Sequence, residues 1–506
     1  MKYYFSLFVS AILIANISFS QEIKFKVKGL PDTTVHLVKY LGSKLYYADT
    51  TKLKKGIATF DGSKHDSGIM AFLLPNQQYF DFIHNNEDVF IESSIPNFMD
   101  NLKVKKSKEN EVFYEYIQFI KNNQEANKEL IEERNALGDE ENEAKQKLND
   151  KIKETNKRVK EYQKQLVAKN EGTFVAKVVK MSMDIEVPDP PKNPDGSLAD
   201  SSFGYKYMRD HYFDNFDWKD DRIINTPIFQ KKLEYYYSKE MLLQHPDTIV
   251  KYLSRVIDQI PEKSNTYRFV TSNVASYAEK SKIMGMDKAF NILVDNYFCA
   301  IDKDGNPKAY WYDEAKLDEL CEDTKIRLKL VQGAKPPNLI LTDTTSKKWI
   351  DFYSLDSDYT ILYFWDPNCG HCKKETPKLQ TLYEKKLKDR NVSVFAVGKA
   401  TGDDYEDWKK FIREKGLTFI NVGFTQEIYD KAKENPSAFQ GITTSESLNY
   451  HQTYDIYTTP KLWILDKDKK IIGKGLGISQ LEDFMDRIQG YENSEKIIES
   501  DKKNKK

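Results

Sequence analysis

The chain has 506 residues, and 77 Lys and Arg against 78 Asp and Glu leave a net charge of −1. That balance removes any global electrostatic case for a nucleic-acid partner. The length corresponds to about three domains. Hydrophobic residues at 40% and aromatics at 13% suffice for real cores, and with only four cysteines, packing rather than disulfides must hold the chain together.

Residues 1–20 carry one basic residue, Lys2, then an apolar stretch, with Ser18 and Ser20 ahead of Gln21. This pattern predicts a secretory signal cleaved after Ser20, and hence a location in the periplasm or cell envelope. The apolar core, broken by Ser10 and Asn16, is short for a membrane span. No later segment is apolar enough to cross a bilayer, so no integral span is expected after cleavage. Residues 21–105 hold short apolar runs at Ile23, Phe25 and Val27, at Val35 to Val38, at Ile57 to Phe60, at Met70 to Leu74 and at Val89 to Ile91. Turn residues such as Gly29, Pro31, Asp61 and Gly62 separate the runs, which predicts an N-terminal antiparallel β domain, a sandwich.

Residues 106–332 read as an all-α middle region. Leu148, Ile152, Val159, Tyr162 and Leu166 form a narrow heptad-like seam in a highly charged stretch, and Gly138-Asp139 divides that stretch into a hairpin. A long helix with a solvated outer face accounts for this better than a partner-binding coiled coil. Val187 to Gly196, with four prolines, is a stiff loop. The tyrosines around His211 and Tyr235 read as helix packing rather than a substrate groove, and His211 has no companion residues at metal-ligand spacing. Cys299 and Cys321 end one helical pattern and follow another, with the turn Asp304-Gly305-Asn306-Pro307 between them. Their spacing leaves open both a structural disulfide and two buried thiols.

Residues 333–490 carry the chemistry. The apolar run Ile361-Leu362-Tyr363-Phe364-Trp365 precedes Asp366-Pro367-Asn368 and then Cys369-Gly370-His371-Cys372 at the start of a helix-compatible stretch. Two thiols three positions apart at a helix start close a small ring, and the helix N-terminus favours the thiolate. Cys369 is then the nucleophile and Cys372, one turn inside, the resolving thiol. His371 is placed to tune the pair as an imidazolium, with Gly370 beside it. A zinc site is disfavoured because Cys299 and Cys321 lie 22 positions apart with no second CxxC, so neither a metal nor another cofactor is expected. Downstream, Thr459-Pro460 enters the strand-like run from Lys461 to Leu465. A cis bond there brings backbone beside the cysteines for an extended substrate chain. Residues 491–506 read as a disordered, charged tail.

Trp365, Cys369, Cys372, Lys373-Lys374-Glu375-Thr376-Pro377, Thr459-Pro460 and the opening Gly333-Ala334-Lys335-Pro336-Pro337 resemble a thioredoxin-fold domain. The resemblance is to exported bacterial thiol-disulfide oxidoreductases, including the tethered reductases of cytochrome c maturation. The β domain and the helical module around His211 to Phe216 resemble those preceding such domains in proteins of the Bacteroidetes type. The fold class implied is multidomain: N-terminal antiparallel β domain, all-α middle region, C-terminal α/β thioredoxin fold. Two departures stand out. The dipeptide Gly370-His371 matches protein disulfide isomerases rather than thioredoxin, and Tyr363 stands where thioredoxin has a buried acid. That leaves the proton acceptor for Cys372 unassigned.

The expected activity is thiol-disulfide exchange on protein cysteines in the cell envelope, in the reductase direction, with Trp365, Gly370, His371, Thr459 and Pro460 tuning the site and binding substrate backbone. Its partners are protein thiols or disulfides and an envelope electron donor. The alternative is an envelope binding or scaffold module with a minor or vestigial redox site.

Overall fold

The computed structural model describes residues 21–138, 142–401 and 404–498. The expected signal, residues 1–20, and the last eight tail residues lie outside this range. The described chain forms two compact units: one runs through Leu242 and adds residues 264–266, and the other holds the remainder. The helical region is therefore divided between them.

In the first unit, eight strands form two four-stranded sheets. These are β1 (Glu22–Lys28), β2 (Thr33–Leu41), β3 (Lys44–Leu53), β4 (Ile57–Asp61), β5 (Gly68–Leu73), β6 (Tyr79–His84), β7 (Val89–Ser94) and β8 (Lys103–Lys106). The sheets have orders β4-β1-β7-β8 and β3-β2-β5-β6. Alternate residues of β1 (Ile23, Phe25 and Val27) are buried, and Phe25 stacks on Phe72 with ring centroids 4.2 Å apart. One pair departs from the antiparallel expectation: β1 and β7 are parallel. No tight hairpin joins them, so no turn dictates their relative direction.

The helices of this unit are α1 (Lys108–Ala136), α2 (Glu143–Lys169), α3 (Phe174–Ser182), α4 (Phe203–His211) and α5 (Pro227–Tyr237). Ser107 caps α1, and the buried Asn110 amide bonds both the N–H and the C=O of Ile83, tying the helix to β6. Between α1 and α2, Phe119 stacks on Tyr162 at 3.9 Å, and Leu148 and Leu166 of the seam are buried. Tyr212 stacks on Tyr236 and Phe213 packs at a tilt against Trp218, while His211 pairs with Asp214 at the surface.

The second unit contains α6 (Pro246–Ile257), most of α7 (Asn265–Lys280), α8 (Met286–Val294) and α9 (Glu314–Leu328), followed by a seven-stranded sheet. A disulfide joins Cys299, in the turn closing α8, to Cys321 on α9, across 5.6 Å between Cα atoms. The strands are β9 (Ile340–Asp343), β10 (Trp349–Asp351), β11 (Tyr359–Trp365), β12 (Val392–Gly398), β13 (Ile420–Gly423), β14 (Lys461–Leu465) and β15 (Ile471–Lys474), in the order β10-β9-β13-β12-β11-β14-β15. β11, β12 and β13 run parallel, and the flanking pairs are antiparallel.

β11 is buried on both faces, which explains its unbroken apolar run. Ile361, Tyr363 and Trp365 enter one core; Leu362 and Phe364 enter the other. The helices here are α10 (Gly370–Leu382), α11 (Asp404–Lys415), α12 (Gln426–Glu434), α13 (Ser445–Leu448), α14 (Tyr450–Thr453) and α15 (Ile478–Ile488). α10 and α15 cover the Tyr363 face, while Tyr450 and Tyr454 at α14 pack on Phe364.

The tail expectation needs a correction over residues 491–498. The N–H groups of Ile497 and Ile498 donate to the buried Glu482 carboxylate at 2.9 and 2.8 Å, and Ile498 enters the core. Buried Lys386 anchors this segment by contacting Glu482, Asp486 and Ser494. Two isoleucines and a buried acid hold what the charge pattern assigns to solvent.

Candidate active site

β11 ends at Trp365, and the chain turns before α10. The Asp366 carboxylate accepts the Asn368 N–H at 2.7 Å, and the Asp366 carbonyl accepts the Cys369 N–H at 3.1 Å. This Asx turn places Cys369 at the N-cap of α10, its backbone extended, with the Gly370, His371 and Cys372 N–H groups opening the helix. The turn is fixed laterally as well. The Asn368 amide donates to Asp404 at 2.8 Å, and Lys399 bridges Asp404 at 2.8 Å and Asp366 at 3.7 Å.

The two thiols occupy unlike environments. Cys369 is partly exposed, whereas Cys372 is fully buried. Partial burial opposes ionisation of Cys369, but hydrogen bonds from the Cys372 and His371 N–H groups and from Thr459 outweigh it, so its pKa falls below the ordinary 9.0. Burial pushes the Cys372 thiol up to about 12; the Asp366 N–H, 3.5 Å from its sulfur, opposes this only in part. As a thiol, Cys369 donates to the Thr459 carbonyl at 3.3 Å, and the Thr459–Pro460 bond is cis.

The structure thus brings Cys369, Gly370, His371, Cys372, Thr459 and Pro460 to one place. Trp365 is buried and packs on Phe411 at 5.2 Å, on the core side of the turn. His371 acts on Cys369 through its backbone N–H, while its imidazole is exposed. Cys299 and Cys321 lie elsewhere, bonded to each other.

Tyr363, where an acid was the expectation, is buried with its hydroxyl 2.9 Å from the Thr376 hydroxyl, and burial raises its pKa far above the neutral range. Sequence reasoning gave Glu375 no role of its own beyond its place in the helix that carries the resemblance. Its half-buried carboxylate pairs with Lys378 at 2.7 Å, its charge reaches Tyr363, and it lines a cavity with Tyr363 and Pro460. Sequence reasoning passed over the Asp366–Lys399–Asp404 set. Asp366-Pro367-Asn368 carries a local turn signature, but Lys399 and Asp404 reach the site only through the fold.

The AhpC/TSA family matches residues 332–474. The match takes in the seven-stranded sheet and the Cys369–Cys372 pair, and the C-terminal domain is a thioredoxin-fold thiol-disulfide oxidoreductase domain. Two domains of unknown function, DUF4369 and DUF5106, match residues 22–113 and 139–304. Among curated relatives, thiol-disulfide oxidoreductase ResA of Bacillus thuringiensis is 26% identical over 164 residues, 32% of this chain and 78% of that protein. ResA of Bacillus subtilis is 24% identical over 167 residues, 32% of this chain and 79% of that protein. Among solved structures, a domain of a possible thiol-disulfide isomerase from Cytophaga hutchinsonii is 36% identical. The match covers 33% of this chain and 97% of that one, with a TM-score of 0.25. A thioredoxin-like protein from Bacteroides caccae is 18% identical, covering 60% and 98%, with a TM-score of 0.39.

Proposed function

We propose that this protein reduces disulfides of other proteins in the cell envelope. The observation that carries the reading is the asymmetry of the pair: a partly exposed, acidified Cys369 beside a buried Cys372 whose thiol resists ionisation. The Cys369 thiolate attacks one sulfur of a substrate disulfide. A Cys369–substrate bond forms, the substrate S–S bond breaks, and the first substrate thiolate leaves. Cys372 then gives up its proton and attacks the Cys369 sulfur, releasing the second thiolate and closing the Cys369–Cys372 disulfide. Two electrons and two protons pass to the substrate, and an envelope dithiol donor restores the pair. Thr459-Pro460 offers backbone to the chain bearing the reacting sulfur. Cys372 and Glu375 both act electrostatically on the Tyr363 phenol, which makes Glu375 the candidate acceptor for the Cys372 proton.

The reductase direction rests on the resemblance to donor-fed envelope reductases. The lowered Cys369 pKa stabilises the reduced form and by itself works toward a more oxidising pair, so the potential is the deciding measurement. Equilibration of a reductase with dithiothreitol should give a potential nearer ~−270 mV than ~−180 mV. Cys369→Ala should abolish reduction of insulin, and Cys372→Ala should accumulate mixed disulfides. A potential near ~−180 mV would make the protein an isomerase or oxidase. A pair that never cycles would favour a binding module.

A further inference from the structure

A cavity of about 710 Å³ opens within the second unit, beside the reacting pair. Its lining includes Pro460, Tyr363 and Glu375, and Pro460 directly follows the Thr459 carbonyl that meets Cys369. The thioredoxin domain does not complete it. Lys282, Ile283 and Met284, in the turn joining α7 to α8, supply further lining.

That turn is held in place. Gly285 has φ +87° and is buried, and a Cβ there would lie 2.3 Å from the Gln332 side chain and 3.6 Å from Pro246. Yet Ile283 and Met284, immediately before it, stay 42% and 37% exposed at the cavity. A tightly packed turn carrying uncovered apolar side chains beside a reactive sulfur is the form of a recognition wall.

The charges lining the cavity are largely neutralised internally. Lys474 pairs with Asp287 at 2.6 Å and donates to the Leu330 carbonyl, and Arg327 meets Asp455 at 3.3 Å. Lys282 and Glu279, both exposed, form no ion pair among the described residues and have opposite signs. No net charge is presented to a compact anion. The volume far exceeds a cysteine side chain and falls in the range of clefts that enclose ligands of ~300–1,000 Å³. The surroundings fit an extended polypeptide segment whose backbone meets Thr459-Pro460 and whose neighbouring apolar side chain settles on Ile283 and Met284.

We infer that the turn at residues 281–285 is the far wall of the substrate groove, and that it selects extended segments carrying an apolar residue close to the reacting cysteine. This rests on exchange at Cys369 as proposed above.

The test uses the full chain and two short unstructured peptide disulfides, one with leucine and one with serine beside the cysteine, with glutathione disulfide as a probe of the chemistry alone. The leucine peptide should react about ten-fold faster than the serine peptide in kcat/KM. Ile283→Asp and Met284→Asp should each cut that preference several-fold. In the Cys372→Ala background, a benzophenone placed beside the peptide cysteine should crosslink to residues 281–285. Equal rates for the two peptides, or crosslinks confined to residues 425–450, would overturn the groove while leaving exchange intact. Failure to react with glutathione disulfide or either peptide would overturn exchange itself, and the groove with it.

Discussion

Alkylation separates the two active-site thiols and tests the environment assigned to each. With Cys372 at about 12, its thiolate fraction at pH 7 is ~10⁻⁵. Cys369, held below 9.0, is ionised to at least ~1%. The populations differ by ~10³. The more basic thiolate is the better nucleophile, and a Brønsted slope of ~0.5 over about three pK units returns ~30-fold of that difference. At least ~30-fold selectivity for Cys369 remains, before counting the exclusion of reagent from the buried Cys372. The assay is iodoacetamide labelling of the reduced protein, quenched over time and read by peptide mass spectrometry from pH 5 to 10. The Cys369 rate should rise with pH through a midpoint below 9, and the Cys372 rate should still be climbing at pH 10. Comparable labelling of both cysteines at pH 7 would refute the reasoning, because neither burial nor the N-cap position would then be acting.

Gly398→Ala should destabilise the C-terminal domain by about 1–3 kcal/mol in denaturant titrations, because the new Cβ would fall 1.9 Å from Nε1 of the fully buried Trp408. Lys386→Met should cost about 3–5 kcal/mol and expose residues 491–498 to proteolysis, since Glu482 would keep its buried charge without its ammonium partner. Asp81 in the β domain is raised from 3.8 to about 6 by burial, opposed by the Tyr40 hydroxyl that donates to it at 3.0 Å. A raised folded pKa favours folding fully below the unfolded value, and that advantage is lost as pH climbs through about 6. Asp81→Asn should therefore stabilise the domain by about 1–3 kcal/mol at pH 8 and by almost nothing near pH 4. A difference independent of pH, read from thermal melts, would contradict the assignment.

The elements most readable in the sequence are those whose pattern is set by burial. β1 alternates, β11 is an unbroken apolar run, and the α2 seam shows at Leu148 and Leu166. Their side chains meet cores on one face or two. β3 was missed because it lies at a sheet edge with most side chains in solvent, so no apolar alternation marks it. The parallel β1–β7 pairing and the docking of residues 491–498 depend on partners more than sixty and a hundred residues away in sequence, Val89 for Ile23 and Lys386 for Ser494.

The active site divides the same way. The sequence by itself determined the candidate pair, because two cysteines three positions apart at a helix start are a local feature, and Asp366-Pro367-Asn368 sets the turn that exposes one of them. It pointed to Thr459-Pro460 as a companion through a proline at the entry of a strand-like run, a position open to few prolines. The tertiary structure alone decided that Trp365 packs on the core side of the turn, that His371 contributes its backbone N–H, and that Lys399 and Asp404 pin the loop. It alone decided the opposite ionisation of the two thiols, because desolvation and hydrogen bonding depend on what folds around a sulfur, and residues up to ninety positions distant supply those surroundings.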